Sequence, residues 1–135
     1  PQVRFAEEKN QNITILKAYE QNLIESCHDM SIGGCWQTLL EMCLGERGQS
    51  RVGLHIQIPQ DQDSTTLLFS ENGGFVVATK QLEKLEACCA STGVSYQILG
   101  KTTATDHITI TQNEDTLINI NREEYSVIWN QYNPS

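Results

Sequence analysis

The sequence predicts an α+β fold, because helical and strand periodicities alternate along all 135 residues without a linker, repeat or low-complexity tract between them. An apolar fraction of 39% with 19% charged residues is that of a globular chain, and this length suits one hydrophobic core. Residues 1–135 therefore read as a single domain, with the polar residues 1–12 set apart as a docking segment. The expected architecture is layered, a mixed sheet of about six strands with about four helices.

The first helix is predicted over ITILKAYEQNLI, where Ile13, Leu16, Tyr19 and Leu23 recur at helical spacing behind Asn12 as N-cap. After the polar stretch CHDMSIGGC, Ser31 stands as N-cap of a second helix. Its stripe is Trp36, Leu39, Leu40, Cys43 and Leu44, ended by Gly45 or Gly48. The period then changes to two: VGLHIQI sets Val52, Leu54, Ile56 and Ile58 on one face and His55 on the other, until Pro59 stops the strand. TLLFSENGGFVVAT reads as a hairpin turning at Glu71–Gly74, since Asn and Gly accept the positive φ of a tight turn. Thr79 is the expected cap of a third helix bearing Leu82, Leu85 and Cys89, with Gly93 as its stop. VSYQILG, HITITQ and TLINI supply the remaining strands. Asn121 and Glu124 then open a last helix with Tyr125, Ile128, Trp129 and Tyr132 on one face.

Composition excludes several function classes. The net charge is −8 and the basic residues are scattered, so no concentrated basic face exists to neutralise phosphates, which argues against nucleic-acid binding. No apolar run approaches the length of a membrane span, and PQVRFAEEKN lacks the apolar centre of a secretory signal. A cytoplasmic location with no membrane partner is expected. Cys27, Cys35, Cys43, Cys88 and Cys89 then read as reduced thiols rather than a disulfide framework, and Asn12-Ile13-Thr14 as an unused glycosylation triplet.

CHDMSIGGC is the stretch that carries chemistry. With Ser31 at a helix start and Gly33 and Gly34 allowing close backbone approach, first-turn N–H groups can face an anion. Asp29 can hold Mg²⁺, which takes one or two carboxylates and completes its shell with phosphate oxygens and water. His28 reads as a supporting residue, a hydrogen-bonded structural imidazole rather than a catalytic base. The same Ser-x-Gly-Gly pattern also suits simple helix capping.

SCHDMSIGGCWQTLLEMC, residues 26–43, resembles the AHDxSDGGLxxxLAEM signature in the last domain of phosphoribosylformylglycinamidine synthase, a domain of the aminoimidazole-ribonucleotide-synthetase C-terminal type. GLHIQIP, LLFSENGGFVV, VSYQILGKT and EEYSVIW follow in the family's order, so the resemblance covers nearly the whole chain. It implies part of an ATP-dependent purine-biosynthesis ligase, in which formylglycinamide ribonucleotide and glutamine-derived ammonia yield the amidine. ATP phosphorylates the amide oxygen and ammonia displaces the phosphate. It further implies ATP/ADP and Mg²⁺ at an auxiliary site, with Asp29 and Ser31 at the metal and phosphate positions. The implied partners are the N-terminal ATP-binding domains of the same enzyme and a glutaminase domain or subunit. The chain departs from the pattern at Ile32, where the family has Asp, and at Gly74–Phe75, where the family has Arg before Phe. Those departures keep a second reading open, a degenerate structural or ligand-sensing module of the same fold.

Overall fold

The computed structural model describes residues 4–45 and 52–132. They form two compact units, residues 4–38 with 71–97 and residues 39–45 and 52–70 with 98–132. The elements run α1 (Phe5–Glu20), β1 (Ser26–Asp29), α2 (Gly34–Leu44), β2 (Gly53–Ile58), α3 (Ser64–Phe69), β3 (Phe75–Ala78), α4 (Leu82–Thr92), β4 (Gly100–Thr103), β5 (His107–Gln112), β6 (Asp115–Asn121) and α5 (Arg122–Tyr132). The α+β class holds; the six strands are divided between two sheets.

In the first unit α1 packs on α4. The helix starts at Phe5 rather than after Asn12, because Ala6, Glu7, Glu8, Lys9 and Gln11 are good helix formers and Glu7 and Glu8 in its first turn complement the dipole. Residues 5–12, set apart by sequence as a docking segment, are thus helical. The buried face also differs from the predicted stripe. Thr14 and Ala18 are buried, whereas Leu16 and Tyr19 are 63% and 49% exposed. Small side chains allow close helix approach here, and the Thr14 hydroxyl, which donates to Asn10 O, is 2.6 Å from Thr92 Oγ1. Ala18, Leu23 and Cys88 form the core, with Ile24 and Leu85 packed against it.

The expected hairpin is absent from TLLFSENGGFVVAT. Its first half is helical: Asp63 accepts from Thr66 N–H at 2.8 Å, capping α3, and Leu68 is buried. A side-chain cap on the backbone therefore outweighs the β-like run of apolar residues. Strand β3 instead pairs antiparallel with β1, a segment assigned by sequence to the loop, in the register Ser26↔Ala78 to Asp29↔Phe75. Thr79 is not the cap expected from the sequence: α4 starts at Leu82 behind Gln81, and the Thr79 hydroxyl, two residues earlier, donates to Leu23 O at 2.6 Å and accepts from Gln81 N–H at 2.9 Å. Gly93, at φ 70°, ends α4 as the sequence predicts.

The second unit holds a mixed sheet in the order β4-β2-β5-β6, with β2 and β5 parallel and the other pairs antiparallel. Leu54, Ile56, Ile58, Ile108 and Ile110 are buried and His55 is exposed, so the predicted β2 register holds; Val52, just before the strand, is exposed. Leu39, Leu40, Cys43 and Leu44 of α2 are also buried. Gly45, at φ 62°, ends that helix, and the alternative stop at Gly48 lies outside the described residues. Of VSYQILG only the final glycine is strand: β4 begins at Gly100, where any Cβ would collide with the His55 carbonyl. Asn121 caps α5 as predicted, accepting from Glu123 and Glu124 N–H at 2.8 and 3.3 Å. Arg122 beside it is buried and donates to Val52 O at 2.9 Å.

Candidate functional site

Residues 28–34 run from the end of β1 through the turn that leads into α2, inside the first unit. Asp29 ends β1 opposite Phe75, and its side chain is 71% exposed. His28 is half-buried, with Nδ1 2.8 Å from Asp29 O and 3.5 Å from Asp29 Oδ1. Ser31 and Ile32 are exposed. The structure thus brings a carboxylate, an imidazole and a hydroxyl into four consecutive residues.

Two hydrogen bonds fix the loop from below. Met30 N–H donates to Gly74 O at 2.9 Å, extending the β1–β3 ladder by one step, and Thr38 Oγ1 donates to Gly34 O at 3.1 Å and lies 3.4 Å from Asp29 O. Gly74 takes φ 118°, and a Cβ there would lie 2.9 Å from Met30 Cε. The positive φ favours glycine where the loop backbones meet, and an arginine there would be strained in this conformation.

The glycine turn has its own partners. Ser31 O accepts from Gly34 N–H at 3.1 Å, and Gly33 N–H donates to Glu71 Oε1 at 2.8 Å. Both glycines have positive φ, 85° and 65°. The helix starts at Gly34, so Ser31 lies in the preceding turn and is not the N-cap expected from its spacing. Glu71 is the residue that sequence reasoning placed in a hairpin turn and did not connect to this loop. The only signal for it was its place in LLFSENGGFVV, because a bond spanning 38 residues leaves no local periodicity.

The nearby thiol offers no nucleophile. Burial and then the Asp29 charge push Cys27 up, against a smaller opposing effect of Tyr19, so the thiol form is favoured. Among the described residues there is no group of three His, Cys, Asp or Glu able to hold a metal by themselves.

The chain matches AIR synthase related protein, C-terminal domain, over residues 2–113. The chain belongs to this family. A curated relative, phosphoribosylformylglycinamidine synthase subunit PurL of Aquifex aeolicus, is 30% identical over 132 residues, covering 96% of the chain and 17% of the relative. The chain thus spans about one sixth of that relative's length. The fold agrees with T. maritima PurL complexed with ATP at a TM-score of 0.75 and 14% identity, covering 88% of this chain and 21% of that one. It agrees equally with the PurLQS structure from Thermotoga maritima, at TM-score 0.74 and 14% identity over the same shares. The domain-family resemblance of the HDxSxGG and LFSE segments is therefore correct.

Proposed function

We propose that the chain is the C-terminal domain of a phosphoribosylformylglycinamidine synthase, contributing to an ATP-dependent carbon–nitrogen ligase whose principal ATP and substrate machinery lies in preceding domains. The observation that carries this reading is the 30% identity to the Aquifex aeolicus subunit across 96% of the chain, joined to the family match. Fold by itself does not carry it, since one fold serves many functions. Residues 1–135 are read as one domain of that enzyme, working in the cytoplasm beside its N-terminal ATP-binding domains. A glutaminase domain or subunit is the expected ammonia source, and the PurLQS assembly is an example of a PurL structure with several components.

Asp29 and Ser31 are the residues assigned to nucleotide. One exposed carboxylate and one exposed hydroxyl fit Mg²⁺ that shares its shell with phosphate and water, and do not make a self-sufficient cage. When bound, the ion supplies positive charge to nucleotide phosphate oxygens. Asp29 holds that charge at the end of β1, Ser31 offers an oxygen beside it, and His28 orients the Asp29 peptide through its carbonyl. Gly33 and Gly34 supply the bend that brings the loop back into α2. Ile32 adds no polar group at the tip of the turn, so the chain's contribution rests on Asp29 and Ser31.

The uncut open reading frame and its product test the proposal. Upstream ATP-binding domains and formation of formylglycinamidine ribonucleotide by the full-length protein are expected, and Asp29→Asn should weaken its Mg²⁺-dependent nucleotide binding. A reading frame confined to these residues, without nucleotide binding, would instead favour a degenerate structural or ligand-sensing module of the same fold. The 135-residue chain alone should show no turnover, because phosphoryl transfer requires cations and donors positioned by the absent domains.

A further inference from the structure

Glu71 holds a position that the proposed function does not use. It lies just before the glycines leading into β3, far in sequence from the Asp29–Ser31 loop, yet its carboxylate accepts the Gly33 N–H at 2.8 Å. The two segments are joined at three successive levels: Asp29 pairs with Phe75, Met30 N–H donates to Gly74 O, and Gly33 N–H donates to Glu71. Only the last of these uses a side chain, so only it can be removed without altering the β1–β3 ladder.

We propose that Glu71 is a positioning residue for the loop that carries Asp29 and Ser31, an inference that rests on the nucleotide-site reading above. An N–H turned toward one carboxylate oxygen cannot serve a phosphate at the same time. With the Gly33 amide held by Glu71 and the Gly34 amide bonded to Ser31 O, neither glycine amide is open to an anion, while the Asp29 carboxylate and Ser31 are exposed. The loop therefore suits a hard cation, and phosphate is reached through that cation. This changes the division of labour within the site: the glycines bend the loop, Glu71 locks the bend, and Asp29 with Ser31 faces the ligand. A charged acceptor makes a stronger bond to the backbone than a neutral one, which suits a latch on an otherwise exposed turn.

The test compares Glu71→Gln, which keeps an oxygen acceptor, with Glu71→Ala, which removes it, in the full-length protein. Deuterium uptake is followed by mass spectrometry in the peptide spanning residues 30–38, and Mg²⁺-dependent binding of ATP is titrated in parallel. Glu71→Ala should speed exchange in that peptide about tenfold, the factor that corresponds to losing one net hydrogen bond, with Glu71→Gln between it and the parent. The Mg²⁺ concentration for half-maximal ATP binding should rise several-fold in Glu71→Ala and return toward the parent value in Glu71→Gln, while thermal midpoints of the three proteins agree. Unchanged exchange in Glu71→Ala overturns the latch. A parent that binds Mg²⁺–ATP through Asp29 but is indifferent to Glu71→Ala overturns the positioning role alone. Tighter ATP binding by Glu71→Ala without Mg²⁺ also overturns it, since the freed amide would then be the ligand. A parent whose binding ignores Asp29→Asn overturns the reading of the site itself, and the positioning role with it.

Discussion

Ile110 is fully buried in β5, pairing with Ile56 of the parallel strand β2 and Ile118 of the antiparallel strand β6. Ile110→Ala removes three carbons from this layer. At about 0.8 kcal/mol for each buried methylene, the lost transfer energy is about 2.4 kcal/mol. The paired strands cannot collapse fully into the gap, so the residual cavity adds about 1 kcal/mol, for a total of about 3–4 kcal/mol. For a chain of this size that corresponds to a fall of about 10 °C in thermal midpoint. Urea unfolding followed by far-UV circular dichroism measures the change directly, with an unchanged slope expected because the surface exposed on unfolding hardly alters. Ile118→Ala is the internal control. Ile118 is only half-buried on the edge strand, so its truncation should cost about half as much. A loss below about 1 kcal/mol for Ile110→Ala, or equal losses for the two variants, would refute the assignment of β5 as the interior strand of this sheet.

Two further expectations concern the loop and the thiols. Ser31 precedes the helix by a full turn and does not cap it, so Ser31→Ala should change stability by no more than about 0.5 kcal/mol in chemical unfolding; a loss near 1 kcal/mol would restore it as an N-cap. Burial pushes the Cys43 thiol up to about 11 from 9.0, against a smaller lowering by Arg122, so the folded protein holds its proton where the unfolded chain releases it. Stability from this group is intact below pH 9.0 and is lost as pH rises toward about 11, and Cys43→Ala should flatten that decline in an alkaline unfolding series. An identical alkaline slope in the two proteins would show that Cys43 ionises freely in the fold.

Periodicity made part of this structure legible. The alternation in VGLHIQI and the α2 stripe identify two buried faces, and Gly93 and Asn121 mark a helix end and a helix start through local backbone chemistry alone. The failures have a common physical origin. TLLF is apolar enough for a strand, but the Asp63 side chain caps a helical turn there. SCHD looks like polar loop, but it becomes a strand because FVVA, left without a hairpin partner, pairs with it. In α1 the larger side chains define the obvious stripe, yet the neighbour α4 accepts the small Thr14 and Ala18 face and leaves Leu16 outside. Local pattern encodes which residues could be buried; the neighbour chooses among the faces.

The loop shows the same rule at the level of chemistry. Its residues suggest an anion turn when read locally, because a serine and two glycines ahead of a helix imply free backbone N–H groups. Long-range pairing changes that inference. Once β1 and β3 are in register, the segment before β3 is carried alongside residues 30–34, and Glu71 arrives at the amide that local reasoning had left open. The pairing of SCHD with FVVA thus determines both where Asp29 stands and which groups of the turn remain available to a ligand. A substitution that weakened this short ladder would move Asp29 and free the Gly33 amide together. Loop chemistry here is a consequence of strand pairing, and the residues that govern it lie about forty positions away from the motif itself.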